Sequence, residues 1–270
     1  MTPKNLHRVF AALAFLVALV TYGLTVQPTV PFWDCGEFTA AAVHQQVPHP
    51  PGAPLFLMLG KLFHLLPFGN ADDSGVRVNY MSVAASAVTV WLLYLITVMV
   101  INAFLKRPVE TLGDSLAVYG SALVGALAFT FSDTFWFNAV ESEVYAASSL
   151  FVQVMVYLMM RWWEEADNPG HERYLLGIAY LLGLSIGVHL LALLGVFSIV
   201  YLVFFRKYVV TRNSFLVASG IALVAFFMVY KFILFWMPTM MAGNLPMRNE
   251  ILEYLVQDET WVRLLAILIV

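Results

Sequence analysis

Long apolar runs, broken by short polar stretches, set the pattern of this chain. Crossing about 30 Å of hydrocarbon takes roughly 20 apolar residues in a helix. Runs of that kind occur over 9–26, 78–104, 114–131, 145–162 and 215–237. A longer stretch, Tyr174 to Phe205, exceeds the needs of one helix and contains Gly183, Gly187, His189 and Gly195. It predicts two short segments, 174–188 and 189–205, meeting in a tight turn near His189. A last run starts near Trp261 and is still open at Val270, the chain's end, so further chain is expected beyond it. Residues 54–67 are apolar but too short to span, and Lys61 and His64 interrupt them. They predict an amphipathic helix lying along the membrane surface.

Composition points the same way. Of 270 residues, 61% are hydrophobic and 11% are charged, and the mean hydropathy is +0.81. Soluble domains carry about 25% charged residues. The expected fold class is an all-α polytopic membrane protein. A net charge of −3 offers no basic field for nucleic acid. One cysteine, Cys35, excludes an internal disulfide.

The basic residues predict the topology, because short cytoplasmic loops collect Lys and Arg. With the N-terminus cytoplasmic and 27–77 external, nine basic residues fall inside: Lys4, Arg8, Lys106, Arg107, Arg161, Arg173, Arg206, Lys207 and Arg212. The external loops then hold Asp34, Glu37, Asp72, Asp73, Asp133, Glu141 and Glu143, with only Lys61 and Arg77 among the cations. Lys4 and Arg8 before an apolar core resemble a secretory signal, but no small-residue cleavage site follows Val26, and an uncleaved first helix is the reading taken.

The first external loop is dense in unusual residues. Asp34 and Glu37 are three apart, on one side of a helical turn. Two readings stay open: a general base at the membrane face, or a helix N-cap with its reciprocal partner. His49-Pro50-Pro51-Gly52-Ala53-Pro54 is a stiff corner, since proline fixes its own backbone and restricts the residue before it. It either aims His49 at a cavity or simply joins two surface helices. In the second loop Glu141 and Glu143 are two apart, so on a helix they face different ways: one toward a cavity, the other capping or solvated. Arg77, His189 and Lys231 complete the candidates. Intramembrane charges usually mark a site, Lys231 can instead snorkel to the headgroups, and Arg77 has the planar fork that suits phosphate. No metal-ligand spacing is evident, so no metal is expected, although two loops of carboxylates could accept one.

Taken in order, Trp33-Asp34-Cys35-Gly36-Glu37-Phe38, Val47-Pro48-His49-Pro50-Pro51-Gly52, Arg77-Val78-Asn79, Phe137 to Tyr145, and Gly183 to His189 resemble a bacterial multi-pass membrane family related to a vertebrate protein O-mannosyltransferase. More distantly, the layout resembles GT-C glycosyltransferases. The resemblance implies a GT-C-like helical bundle with surface helices in the first external loop. It implies a hexosyltransferase in a bacterial inner membrane that moves a sugar such as mannose from a polyprenyl-phosphate donor to an acceptor hydroxyl, on protein Ser or Thr, at the external face. No obligatory cofactor is implied, and the partners are the lipid-linked donor and an acceptor protein. Asp34 and Glu37 would be catalytic; His49, Arg77, Glu141, Glu143, His189 and Lys231 would bind substrate. The rival readings are a lipid or sugar transporter, a glycosyltransferase with a lipid or glycan acceptor, and a non-catalytic scaffold. One external cavity, open sideways to lipid and lined by Asp34, Glu37, Glu141 or Glu143, and Arg77, favours the enzyme; a central path open to both sides favours transport; dispersed carboxylates favour the scaffold.

Overall fold

The computed structural model describes residues 2–69 and 73–241. Asp72 and the run from Trp261 lie outside the described residues. No strand occurs among those described, and six helical stretches are long and apolar enough to cross a membrane. The protein is an all-α polytopic membrane protein. It forms two compact units, residues 1–192 and 193–270.

In the first unit the long helices are α1 (Pro3–Leu24), α4 (Ser74–Leu105), α5 (Leu112–Thr130) and α7 (Val144–Glu165), with α4 packed against the other three. Between them lie α2 (Cys35–His44), α3 (Pro54–His64) and α6 (Asp133–Ala139), and α8 (Glu172–Ile186) follows. Within a bilayer, helices associate through close packing and interhelical hydrogen bonds, since lipid is as apolar as leucine. The α1 seam is accordingly small: Ala11, Ala14 and Ala18 are buried in one cluster with Val83, Ala87 and Val90 of α4. Tyr22 closes that seam, its hydroxyl donating 2.9 Å to the carbonyl of Thr130 at the end of α5.

Polar side chains fix the connections that carry the candidate residues. Asn79 of α4 donates through Nδ2 to the carbonyls of Gln27 (2.9 Å) and Thr29 (3.1 Å). The Gln27 N–H donates to the carbonyl of Val140. The strand of chain leading from α1 to Asp34 is thereby tied both to α4 and to the loop before α7. The α2–α3 hairpin then packs closely: a Cβ on Gly60 would lie 2.9 Å from the Cβ of Ala42. Lys61 donates 2.6 Å to the Val43 carbonyl, satisfying an orphan acceptor at the C-terminal end of α2.

Residues 54–64 form α3, eleven residues with Phe56, Leu57 and Gly60 buried, too short to cross. The Tyr174–Phe205 stretch breaks as its glycines suggest. Helix α8 ends at Ile186, and a 3-10 turn spans Leu190–Leu194. At 15 residues, α8 is about 22 Å long. The break is held by hydrogen bonds: the Gly187 carbonyl accepts from the N–H groups of Leu55 (2.8 Å) and Phe56 (3.2 Å) at the start of α3. A Cβ at Gly187 would stand 3.0 Å from the Leu55 Cβ, so a side chain there would push Leu55 back by a few tenths of an ångström.

The second unit contains α9 (Gly195–Lys207), α10 (Arg212–Phe227), a π-helical stretch over Met228–Trp236 and α11 (Met237–Met241). Thr211 and Ser214 form a reciprocal cap at the start of α10. Tyr201 joins α9 to α10 through its ring, stacked 5.6 Å from Phe215, and its hydroxyl, 2.9 Å from Ser219 Oγ.

Candidate functional site

A cavity of about 90 Å³ opens where the end of the 27–34 segment, the proline corner, the start of α7 and the α8 break converge. Asp34, His49, Glu143, Tyr145 and His189 line it. Four of these five are among the eight residues singled out from the sequence, and they arrive from four separate stretches of chain.

Asp34 stands at the N-cap position of α2, yet its side chain makes no capping bond. The backbone explains this: φ −80° and ψ −3° are helical, whereas a capping residue adopts extended angles so that its oxygen can reach back. The reciprocal capping box that the spacing allows is therefore not formed. Glu37 turns instead to His49. Its Oε1 accepts the His49 backbone N–H at 2.5 Å, and its Oε2 lies 2.8 Å from His49 Nδ1. The hydrogen bonds from His49 hold the Glu37 carboxyl below its ordinary value, and the same contact raises the His49 imidazole. Both groups are solvent-accessible, with side-chain exposures of 46% and 43%. The pair is thus His⁺–Glu⁻ over a widened pH range, and it fixes His49 at the cavity wall. The corner it belongs to is rigid, with a cis bond between Pro50 and Pro51.

Glu141 and Glu143 depart from the helical expectation. The chain between them forms a tight turn, the Glu143 N–H donating 2.9 Å to the Glu141 carbonyl. Both carboxyls consequently approach Cys35. The buried thiol donates to Glu143 Oε1 at 3.6 Å, and Glu141 Oε2 has no hydrogen-bond partner among the described residues. Glu143 lines the cavity, and Glu141, 1% exposed, is neither solvated nor a cap. Burial pushes the Glu141 carboxyl up to about 7, with the neighbouring Glu143 charge adding to the effect and the Cys35 bond opposing it. Burial also raises Glu143 and, first among several causes, the Cys35 thiol. Beside this group Thr39 Oγ1 and Ser142 Oγ are 2.7 Å apart, and Ser142 donates 3.3 Å to the Cys35 carbonyl. Thr39, Ser142 and Cys35 are not among the residues singled out from the sequence, since their roles arise from tertiary contacts that spacing does not show.

His189 closes the far side. Its Nδ1 accepts the Leu191 N–H at 3.1 Å, which leaves the ring proton on Nε2. Its ring lies 5.2 Å from that of Tyr145, a half-exposed side chain whose place at the cavity the sequence did not signal.

Two candidates stand elsewhere. Arg77 is not among the residues lining the cavity: its Nε donates 2.7 Å to the Phe68 carbonyl and its Nη1 3.2 Å to the His64 carbonyl, closing the C-terminal end of α3. Lys231 belongs to the second unit, with its Nζ 5.3 Å from the centroid of the Tyr230 ring.

The arrangement offers chemistry that the spacing did not. One donor atom each from Asp34, Glu37 and His49 lies within 4.8 Å of the others. Two carboxylates and an imidazole at that separation can hold a divalent cation after a contraction of a few tenths of an ångström, since ligands opposite one another on such an ion lie about 4–5 Å apart. Without a cation, the same groups provide a carboxylate base beside a protonated imidazole.

Comparison with known proteins bears on residues 34–212, which match the model of the family described as "Protein O-mannosyl-transferase TMEM260 N-terminal domain". The protein O-mannosyl-transferase tmem260 of Dictyostelium discoideum is 28% identical over 163 residues, covering 60% of this chain and 18% of that protein. The mouse protein O-mannosyl-transferase TMEM260 is 31% identical over 180 residues, covering 66% of this chain and 22% of that protein. The matched region therefore spans about a fifth of these relatives' length. No solved structure matches the chain. With two thirds of its residues inside the family model, including Asp34, Glu37, His49, Glu141, Glu143 and His189, the chain belongs to the TMEM260 N-terminal domain family.

Proposed function

We propose that this chain carries the donor-side catalytic site of a membrane glycosyltransferase. In this reading it moves a hexose, mannose by analogy with the relatives' names, from a polyprenyl phosphate to an acceptor hydroxyl on protein Ser or Thr. The active face is the end of the bundle holding residues 27–69 and 131–143, external by the charge distribution, in a bacterial inner membrane. The observation that supports it is the convergence of Asp34, Glu143, His49 and His189 on one cavity, inside the segment that matches the family. A scaffold has no need to gather them.

The chemistry follows from the groups present. The acceptor oxygen attacks the anomeric carbon while the carbon–oxygen bond to phosphate breaks, and the phosphate leaves with the bonding electrons. The acceptor proton passes to a carboxylate within hydrogen-bond reach. Asp34 suits that role, since it faces the cavity without a capping bond, whereas Glu37 is occupied by His49. His49, whose protonated form the Glu37 contact favours, opposes the charge growing on the phosphate. Nε2 of His189 is a hydrogen-bond donor in the same wall and orients the sugar or the phosphate. One displacement inverts the anomeric centre. Arg77 and Lys231 would then contribute to the donor only from outside the described cavity.

The test is transfer by the purified protein from polyprenyl-phosphate mannose to a Ser/Thr acceptor peptide, read by mass spectrometry. Transfer that is abolished in Asp34→Asn, with the folded protein retained, is expected. Full turnover by Asp34→Asn removes Asp34 from the role of base.

A further inference from the structure

The opposite end of α1 holds a second feature that the proposed reaction does not use. A groove of about 660 Å³ runs between α1 and α4, lined by Arg8, Ala11, Ala12 and Phe15 on one helix and Val88, Trp91 and Leu95 on the other. These positions repeat at three and four residues, so each set forms one continuous helical face. Alanines at its base keep the two helices from filling the gap. From Arg8 to Phe15 the groove runs about 10 Å, roughly two thirds of one leaflet's hydrocarbon depth.

Its polarity is graded. Phe15 marks the deep, apolar end. Arg8 marks the outer end, and Lys4 stands one turn before it on the same side of α1. Both cations are exposed. The first turn of α1 has no acidic residue, and among the described residues no carboxylate pairs with Arg8. The helix N-terminus adds partial positive charge at the same end. The mouth is braced as well: the hydroxyl of Tyr94 lies 3.1 Å from His7 Nδ1 and 3.2 Å from the His7 carbonyl, and the His7 ring packs 5.0 Å from that of Tyr119. The spacing between the helices is thereby fixed where the groove opens.

We infer that this groove binds an anionic glycerophospholipid of the surrounding leaflet, its phosphate on Arg8 and Lys4 and one acyl chain between α1 and α4. An apolar slot with a cation at its membrane-surface end matches an amphiphile with a negative head. A neutral lipid would leave the two cations unused, and a free anion would leave the slot unfilled. The occupant is distinct from the sugar donor: α1 has 22 residues, about 33 Å, so its two ends lie a membrane thickness apart, and Asp34 follows the far one.

Trp91 provides the probe. The full chain is reconstituted in phosphatidylcholine vesicles containing a minor fraction of either brominated phosphatidylglycerol or brominated phosphatidylcholine. Quenching of Trp91 is the difference between the protein and its Trp91→Phe variant, which corrects for the other six of its seven tryptophans. Each basic residue at a membrane surface favours an anionic lipid about fivefold, so with Arg8 and Lys4 phosphatidylglycerol should quench Trp91 at a mole fraction about 5–25-fold lower than phosphatidylcholine. Arg8→Gln should cut that preference about fivefold, Arg8→Gln with Lys4→Gln should abolish it, and Arg8→Lys should keep it. Ala12→Leu, which fills the slot, should reduce quenching by both lipids. Equal quenching by the two lipids, or a preference that survives Arg8→Gln and Lys4→Gln together, overturns the assignment. None of these readings depends on sugar transfer.

Discussion

Replacing Glu141 by glutamine should stabilise the protein above neutrality and leave it unchanged in acid. Glu141 is 1% exposed, one of its oxygens has no partner among the described residues, and Glu143 stands two residues away. A carboxyl held at about 7 instead of 4.5 corresponds to a differential of about 3 kcal/mol between its two protonation states. The native state binds the proton more tightly than the unfolded chain, so stability falls as pH rises from the unfolded value through the native one. Below pH 4.5 both states are protonated and the full stability is present. Above about 7 the ionised side chain is buried, and up to about 3 kcal/mol has been lost. Glutamine keeps the shape and can still accept from Cys35, but never acquires the charge. The expected gain at pH 8 is about 1–3 kcal/mol, or roughly 2–10 °C in melting temperature for a chain of this size. Thermal unfolding in detergent micelles, followed by circular dichroism between pH 4.5 and 8.5, reads it directly. A gain that is the same at every pH, or a loss of stability at pH 8, would refute the assignment of Glu141 as a buried carboxyl destabilised by its own ionisation.

Three further outcomes follow from the geometry. Glu37→Gln removes the group that raises His49, so the imidazole should lose its proton at lower pH and the alkaline limb of the kcat/KM profile should move down; an unmoved limb separates His49 from the reaction. Gly187→Val places bulk where a Cβ already meets Leu55 at 3.0 Å, and should cost about 1–3 kcal/mol with a larger loss of transfer activity, measured by unfolding and mannosyl transfer in parallel. Mn²⁺ added to chelator-treated protein should give a bound electron-paramagnetic-resonance signal that His49→Ala and Glu37→Gln both weaken, if Asp34, Glu37 and His49 act as a cation site; an unbound spectrum in the unsubstituted protein assigns the three groups to acid–base and ion-pair roles alone.

The helices were legible because hydrocarbon imposes a length and a composition on whatever crosses it. The break after α8 was legible for a related reason: Gly183, Gly187 and His189 interrupt a stretch too long for one helix. Parts of the cavity could be read as well, since Asp34, His49, Glu143 and His189 sit in stretches too polar or too rigid for simple connections. What escaped depends on tertiary contacts. Arg77 suits a phosphate by its chemistry, but the turn after α3 brings two carbonyls to it first. Lys61 likewise serves the end of α2. The two glutamates of the second loop were expected to diverge, because a helix separates residues two apart; the i to i+2 turn sends both to Cys35. Tyr145 carried no signal of its own in the sequence, and the position of His189 makes it part of a wall.

The cavity owes its shape less to its side chains than to the main-chain bonds beneath them. The carbonyls of Gln27 and Thr29 are taken by Asn79, that of Val140 by Gln27, and that of Gly187 by two N–H groups of α3. Each bond joins stretches far apart in sequence, and each satisfies a polar group that would be expensive to leave unpaired beside hydrocarbon. The ion pair of Glu37 and His49 is exposed and contributes little to stability by itself. Its geometry is set by the proline corner, whose position is set in turn by Gly187. The cavity-lining groups thus lie on connections, which are tied to α4 through the Asn79 side chain and to one another through main-chain bonds. On the proposed reading, acceptor preference should follow substitutions in the cavity wall at Tyr145 or Val144, and rate should follow Asp34 and the His49 corner.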